Sequence, residues 1–190
     1  VVTVDLHAGQ IQGFFDMPVD NLFTTPIFAR FIKKNIKSKN FICVSPDAGA
    51  IERTRALATK INADLAIIDK RRPEPGKSKV MNIIGDVNDK DCIIIDDIID
   101  SGGTIINAAD ALIKKGARNV YVFITHAVLS GDAIKNIQKS KIKKLIITDT
   151  IDNSKKIKKA NKIQVLSISQ LMAEAIKRIS NSTSVSSLFN

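Results

Sequence analysis

Short apolar runs alternate with helical patterns along the whole chain, and this alternation limits the possible folds more than any other feature. Each apolar run is about as long as a buried strand, and the intervening segments carry apolar residues at helical spacing. Strands separated by helices form parallel sheets with right-handed crossovers. The sequence therefore predicts an α/β fold in which helices flank a mostly parallel sheet.

Element boundaries follow from the apolar pattern and from capping residues. Thr25 is expected at the N-cap of the first helix, with Pro26 at its first position, and Gly116 is expected to end the third helix. The predicted strands cover residues 1–6, 41–44, 65–68, 92–95, 120–124, 145–147 and 163–166. The predicted helices cover residues 26–35, 50–62, 104–115, 132–140 and 169–179.

Polar residues follow nearly every predicted strand at its carboxyl end. In open α/β sheets, ligands bind beyond the carboxyl ends of the strands. The sequence therefore predicts a ligand site along that edge of the sheet. The polar residues at these positions are Asp5, His7, Asp47, Asp69, Asp96, Asp97, Thr125, His126, Thr148 and Asp149.

The segment CIIIDDIIDSGGT, residues 92–104, gives the most specific prediction. Its apolar run suits a strand buried on both faces, and two aspartates follow where the strand is expected to leave the sheet. The glycines after them can adopt positive φ, and the N–H groups at the start of the next helix can face an anion. Carboxylates beside an anion loop favour a sugar phosphate, although a plain turn with solvated aspartates remains the alternative. The candidate residues are Asp96, Asp97, Asp100, Ser101, Gly102, Gly103 and Thr104.

Three residues are candidates for a metal site. If the first strand continues, Asp5 and His7 lie on one face and could share a divalent cation, with Mg²⁺ carried largely by substrate phosphates. Such a pair can equally be a structural hydrogen bond. Asp47 lies in SPDAGA at a helix start, where it is either a helix N-cap or a ligand. His126 is interpreted as a structural histidine at a strand end.

The segment KRRPEPGKSKV, residues 70–80, combines three consecutive cations with two prolines and a glycine. This composition excludes a helix or a central strand. A Lys- and Arg-rich loop beside an anion site can close over a phosphoryl group and stabilise transition-state charge. The alternative is an exposed β-hairpin loop with solvated charges. The candidate residues are Lys70 and Arg72.

The composition is that of an ordinary globular protein, with 44% hydrophobic and 25% charged residues. The net charge is +10, but the lysine-rich stretch 135–162 has no aromatic residue for stacking on bases, so we interpret it as a solvated face rather than a nucleic-acid site. No apolar stretch is long enough to predict a membrane span. Cys43 and Cys92 lie in apolar runs, which predicts reduced core thiols and a cytoplasmic protein.

Together these segments resemble ribose-phosphate pyrophosphokinases (phosphoribosyl-diphosphate, or PRPP, synthases), which have a phosphoribosyltransferase-like fold. CIIIDDIIDSGGT is similar to the PRPP-binding motif. The segments VDLHAGQIQGFFDMPVDNL, VSPDAGAIERTRALA, AIIDKRRPEPG, THAVLSG and LMAEAIKRISNSTSVSSLF resemble the synthases specifically. The resemblance covers essentially the whole chain. Ala50 and Ala127 depart from the family's usual glycine and proline, which leaves fold and reaction unaffected.

The resemblance implies roles for the candidate residues. Lys70 and Arg72 would stabilise the transferred diphosphoryl group, and Arg72 would also contact ribose 5-phosphate. Asp96 and Asp97 would contact the ribose hydroxyls, residues 100–104 would bind the 5-phosphate, and His7, Asp47 and Asp5 would help bind Mg²⁺. The substrates would be ATP and ribose 5-phosphate, in a homo-oligomer of the kind that forms hexamers in the family.

The resemblance also implies a division of the chain. Residues 1–23 would end a largely missing N-terminal domain, residues 24–168 would form the phosphoribosyltransferase-like domain, and residues 169–190 would be a helix and tail that pack on the missing domain. The fragment is expected to be inactive alone. Two other functions stay open: a phosphoribosyltransferase that consumes PRPP, and a non-catalytic regulatory homologue.

Overall fold

The computed structural model describes residues 1–38, 40–71 and 80–189. Its strands are β1 (Val2–Val4), β2 (Asp20–Leu22), β3 (Phe41–Ser45), β4 (Asp64–Arg71), β5 (Val80–Ile84), β6 (Asp91–Ile99), β7 (Asn119–Ala127), β8 (Lys144–Thr148) and β9 (Ile163–Leu166). Its α-helices are α1 (Thr25–Asn35), α2 (Ile51–Ile61), α3 (Gly103–Lys114), α4 (Ala133–Lys139) and α5 (Ser169–Ser180). Two 3-10 helices cover Gly9–Phe14 and Ser186–Phe189.

Seven strands form one sheet in the order β5-β4-β3-β6-β7-β8-β9. Every neighbouring pair is parallel except β4 and β5, which form an antiparallel pair at one edge. The central strands β3, β6 and β7 are apolar and buried, as expected for strands covered on both faces. The predicted α/β fold with a mostly parallel sheet is confirmed.

Two hydrophobic cores lie on opposite faces of the sheet. On one face, Leu112 of α3 and Ile137 of α4 pack against strand residues such as Ile94. On the other face, Phe28 of α1 and Leu57 of α2 pack against residues that include Ile93. The helices therefore flank the sheet, and neighbouring strand residues alternate between the two cores.

All seven predicted strands and all five predicted helices are present, but several boundaries differ. Strand β6 continues to Ile99, so Asp96 and Asp97 belong to the strand rather than to the loop after it. Helix α1 begins at Thr25, so the N-cap is Thr24 and not Thr25. Strands β2 and β5 were not predicted: β2 is three residues long and begins with two polar residues, and β5 begins at Val80, within the cation-rich segment that was predicted as a loop.

The first 22 residues form a separate two-stranded parallel sheet, β1-β2. Strand β1 ends at Val4 because Asp5 turns the chain with a φ of 43°. The His126 Nε2 lies 2.8 Å from the Val4 carbonyl and links this small sheet to β7. Within the described part of the chain, no helix has the length and apolarity needed to cross a membrane.

Candidate functional site

Four side chains from three parts of the chain meet at the carboxyl end of β6. The Arg53 Nη1 lies 3.2 Å from Asp96 Oδ1 and 3.0 Å from Asp97 Oδ1. On the other side, His7 Nδ1 lies 2.7 Å from Asp97 Oδ2. The Asp97 side chain is 4% exposed, whereas that of His7 is 79% exposed. Asp96 and Asp97 are therefore fixed by two basic groups, of which one faces solvent.

The two aspartates are not electrostatically equivalent. Burial, followed by the adjacent Asp97, raises the pKa of the Asp96 carboxyl above its ordinary value. Burial would also raise the pKa of Asp97, but hydrogen bonding with Asp96 and the Arg53 guanidinium together lower it. Two carboxylates in contact do not ionise with equal ease. Asp97 is consequently the stable anion of the pair, and Asp96 is the one that more readily holds a proton.

The glycine loop after β6 presents unpaired backbone donors. Gly102 has a φ of 79° and precedes the first residue of α3. Among the described residues, none accepts a hydrogen bond from the backbone N–H groups of residues 101–105. A Cβ atom placed on Gly103 would meet nothing closer than Ser101 Oγ, at 4.0 Å. The loop therefore combines several unpaired N–H groups with open space beside Gly103, an arrangement typical of an anion site at a helix N-terminus.

Asp5 and His7 do not share a face, contrary to the expectation from a continuous first strand. Because the chain turns at Asp5, its carboxylate is buried and only 2% of the residue is exposed. Its Oδ2 accepts hydrogen bonds from the Thr24 N–H (3.1 Å), the Thr24 hydroxyl (2.6 Å) and the Thr125 hydroxyl (2.7 Å). The Asp5 carboxylate is thus a buried hydrogen-bond acceptor that links segments of the fold, whereas the His7 ring contacts Asp97 of the acid pair.

Asp47 lies in the loop between β3 and α2. Its Oδ1 accepts a hydrogen bond from the Ala50 N–H at 3.2 Å, and the Ser45 hydroxyl donates to its carbonyl at 2.6 Å. The side chain is half-buried and orders the turn that leads into α2. Asp47 is therefore not the N-cap of α2 that one of the two interpretations predicted, because the N-cap is Ala50; the Asp47 side chain binds the Ala50 N–H instead.

The cation-rich segment is only partly described. Lys70 lies in β4, where its backbone pairs with Met81 of β5. Strand β4 therefore includes the first two residues of the segment that was predicted as a loop. Arg72 lies outside the described residues. Strands β4 and β5 form an antiparallel pair at one edge of the sheet.

His7 and Arg53 also line a cavity of about 750 Å³ between the N-terminal segment and α2. Asn21, Phe23, Glu52 and Lys60 contribute to its wall. The acid pair therefore lies beside a concave surface large enough for a small polar ligand.

Arg53 is the residue of this site that sequence reasoning missed. It lies in the quoted segment VSPDAGAIERTRALA, but helical spacing alone does not distinguish it from Arg55, which is exposed. His126 is structural, as predicted, because its two ring nitrogens contact the Val4 carbonyl and the Thr150 hydroxyl.

The fold and this site define an α/β protein with a glycine loop of unpaired N–H groups and an acid pair at the carboxyl edge of a mostly parallel sheet. A family profile described as phosphoribosyl synthetase-associated domain matches residues 72–190. The match spans more than half of the chain. The chain belongs to this phosphoribosyl synthetase family.

Curated relatives match the chain over its full length. A ribose-phosphate pyrophosphokinase from Brucella melitensis is 57% identical over 190 residues, which are 100% of this chain and 61% of that protein. One from Haemophilus influenzae is 52% identical over 191 residues, again 61% of its length. The chain thus spans about three-fifths of the curated relatives it matches.

Among solved structures, the fold is similar to that of phosphoribosylpyrophosphate synthetase from Mycobacterium smegmatis. The TM-score is 0.85 and the sequences are 34% identical, over 95% of this chain and 58% of that one. The resemblance read from the sequence motifs is therefore confirmed at the level of fold and family.

Proposed function

We propose that this chain is part of a ribose-phosphate diphosphokinase, which transfers a diphosphoryl group from ATP to ribose 5-phosphate. The products are PRPP and AMP, and the reaction serves nucleotide biosynthesis. The names of the curated relatives support this proposal. Because the chain spans about three-fifths of those relatives, the activity belongs to a protein longer than the part described here.

The observation that carries the proposal is the anion loop beside the acid pair. In the proposed complex, the unpaired N–H groups of residues 101–105 bind the 5-phosphate. Asp96 and Asp97 accept hydrogen bonds from the ribose hydroxyls. A phosphate-binding loop and hydroxyl acceptors on one continuous segment suit a sugar phosphate better than a free phosphate.

The chemistry requires positioning and charge neutralisation rather than a protein nucleophile. The anomeric oxygen of ribose 5-phosphate attacks the β-phosphorus of ATP, the bond from that phosphorus to the α–β bridging oxygen breaks, and AMP leaves. The hydroxyl proton passes to solvent or to a nearby base. Lys70, which lies in β4, and Arg72 would stabilise the charge on the transferred group.

Magnesium fits the proposed reaction and the available donors. Within the described ranges, no three His, Cys, Asp or Glu side chains form a cluster that could hold a metal alone. Mg²⁺ commonly takes one or two protein ligands and completes its shell with substrate phosphates and water. His7, through its exposed ring nitrogen, and Asp47 are the protein groups we propose. When bound, the ion would neutralise phosphate charge. The buried Asp5 carboxylate is already engaged by three donors.

We further propose the division into residues 1–23, 24–168 and 169–190, with the first and last segments packing on a further domain. The exposed apolar side chains of Phe14 and Ile176 support this division.

Cys43 and Cys92 are free and buried, and burial raises the pKa of each thiol to about 12. Such unreactive thiols suit a reducing cytoplasm. A homo-oligomer is the assembly we infer.

A chimera tests the proposed function. This chain would replace the matched segment of the Brucella melitensis relative, and AMP release would be measured with ATP, ribose 5-phosphate and Mg²⁺. We expect AMP release that depends on ribose 5-phosphate in the chimera and negligible release by the isolated chain, because positioning of both substrates supplies much of the rate.

The chimera with Asp97→Asn serves as the matched negative control, because this change removes the anion of the acid pair while keeping its size. A chimera that folds and binds ATP but releases no AMP would contradict the proposal. AMP release by the isolated chain at the rate of the chimera would contradict the proposed dependence on a further domain.

A further inference from the structure

Arg53 contacts both members of the acid pair through a single nitrogen. Its Nη1 lies within 3.2 Å of Asp96 Oδ1 and 3.0 Å of Asp97 Oδ1. The Arg53 side chain is 19% exposed, so water does not fully screen these contacts. Helix α2 carries Arg53 to this position because Thr54, Leu57 and Ala58 anchor the helix in the core.

The geometry of β6 makes this shared contact unusual. Adjacent residues of a strand direct their side chains to opposite faces of the sheet. Ile94 and Ile95 follow this rule and lie in different hydrophobic cores. Asp96 and Asp97 are the next two residues, yet both of their carboxylates reach the one guanidinium nitrogen. Asp96 Oδ1 also accepts the Asp97 backbone N–H at 3.0 Å, so its side chain bends toward its neighbour.

Arg53 places a positive charge within 3.2 Å of both carboxylates. A positive charge at this position offsets the repulsion between the two carboxylates whenever both are ionised. His7 offers no substitute for Arg53, because it contacts Asp97 from solvent and does not touch Asp96. Among the described residues, Arg53 forms the only salt bridge that Asp96 makes.

We propose that Arg53 is a positioning residue for sugar recognition. It holds Asp96 and Asp97 together so that both carboxylates can accept hydrogen bonds from adjacent hydroxyls of a ribose phosphate. Arg53 acts through the two aspartates and not on the sugar itself. This inference rests on the proposed function, since it presumes that the acid pair binds ribose hydroxyls.

The proposal separates two ligands that share one site. The N–H groups of residues 101–105 would bind the phosphate of ribose 5-phosphate and inorganic phosphate alike. Only ribose 5-phosphate would use the acid pair. Loss of Arg53 should therefore weaken ribose 5-phosphate binding selectively, a result that general damage to the fold would not give.

The experiment is calorimetric titration of the 190-residue chain with ribose 5-phosphate and, separately, with inorganic phosphate. The variants are Arg53→Met, which keeps an unbranched apolar side chain but removes the guanidinium, and Arg53→Lys, which keeps the charge. Arg55→Met is the matched control on the exposed side of the same helix. For Arg53→Met we expect about a tenfold or greater loss of ribose 5-phosphate affinity, the scale of a charged hydrogen bond, and less than about a twofold change for phosphate.

Arg53→Lys should recover part of the lost ribose 5-phosphate affinity, and Arg55→Met should match the original chain. Unchanged ribose 5-phosphate affinity in Arg53→Met, or an equal loss of affinity for both ligands, would overturn the positioning role of Arg53 but not the proposed function. If Arg53→Met does not fold, the same comparison for Arg53→Lys decides. A chain that binds phosphate without preferring ribose 5-phosphate would overturn the proposed function and this assignment with it.

Discussion

At the scale of single residues, the site depends on two kinds of position. Gly103 is the first residue of α3, beside the unpaired N–H groups, and a Cβ atom there would enter open space. Asp5, in contrast, lies in the protein interior and joins three segments through Thr24 and Thr125. Substitutions at these residues should therefore have opposite consequences, one for ligand binding and the other for stability.

Gly103→Val should abolish binding of ribose 5-phosphate and phosphate while the protein stays folded. The added side chain would occupy the anion pocket, but it would meet no protein atom closer than 4.0 Å at its Cβ. Calorimetric titration and circular dichroism measure the two effects. Asn107→Val, an exposed β-branched substitution in the same helix, is the control. Retained ribose 5-phosphate affinity in a folded Gly103→Val chain would contradict the assignment of the loop.

Asp5→Ala should lower the free energy of unfolding by about 2–4 kcal/mol, because two buried hydroxyls and one N–H group lose their charged acceptor. Urea unfolding measures this change. The exposed Asp16→Ala should change the free energy of unfolding by less than about 0.5 kcal/mol. Equal stabilities for the two variants would mean that the Asp5 contacts contribute little.

At the scale of elements, side-chain hydrogen bonds join neighbouring strands at the amino-terminal edge of the sheet. At the amino-terminal edge, the Arg118 guanidinium donates to both Asp91 carboxylate oxygens at 3.2 Å, and Asn119 donates to Oδ1 at 2.6 Å. These bonds join the first residues of β6 and β7. At the carboxyl edge, the β4–β5 hairpin carries Lys70 beyond the parallel part of the sheet.

The Asp91 contacts predict a pH dependence of stability. Burial would raise the pKa of Asp91, but hydrogen bonds from Arg118, Asn119 and Ser38 lower it below its ordinary value. A depressed carboxyl pKa stabilises the fold above the pKa of the unfolded chain, and this stability is lost as the pH falls through the folded pKa. The free energy of unfolding should thus differ between the original chain and Asp91→Asn at pH 7, and the difference should shrink below about pH 4.

Urea unfolding at pH 7 and pH 3 measures this difference. Asp132→Asn, an exposed substitution, should show no comparable pH-dependent difference from the original chain. An Asp91→Asn effect of the same size at both pH values would show that the carboxylate charge is not what stabilises this edge.

Lys70→Ala, made in the Brucella melitensis chimera, should lower kcat by about 10²-fold or more, because one donor to the transition-state charge is lost. The KM values for ATP and ribose 5-phosphate should change much less. Steady-state AMP release measures both parameters. The exposed Lys114→Ala in α3 is the control. Near-normal kcat for Lys70→Ala would refute the role proposed for the hairpin.

At the scale of the whole molecule, large apolar side chains are exposed in the N-terminal segment and in α5. Phe14 is 87% exposed, Met17 is 57% exposed, and Ile176 of α5 is 59% exposed. Large exposed apolar groups of this kind mark surfaces that bind another protein surface. The domain division proposed above accounts for them.

The isolated chain should therefore self-associate at micromolar concentrations, and the double substitution Phe14→Ser and Met17→Ser should reduce the association. Sedimentation velocity over a range of concentrations measures both. Lys141→Ser and Lys158→Ser, on the lysine-rich face, are the control. A chain that stays monomeric at every concentration would contradict this prediction.

The sequence by itself determined the order of the five helices and seven of the strands, and the glycine loop between β6 and α3. Residues 92–104 predicted strand, acid pair, loop and helix correctly, because strand burial, glycine freedom and helix starts are local properties of the chain. Only the end of the strand was misplaced, since apolar character stops at Asp96 while the backbone pairing with β7 continues to Ile99.

Only the tertiary structure decided which side chains meet. Arg53 is 43 residues from Asp96, and Asp5 is 120 residues from Thr125. Local sequence patterns do not predict such contacts, because the contacts depend on which helix packs on which strand and on where the chain turns. The turn at Asp5 buried one candidate ligand and turned another, His7, toward the acid pair. The local spacing of apolar residues determines the helices and strands, whereas the packing between these elements determines which side chains meet at the candidate site.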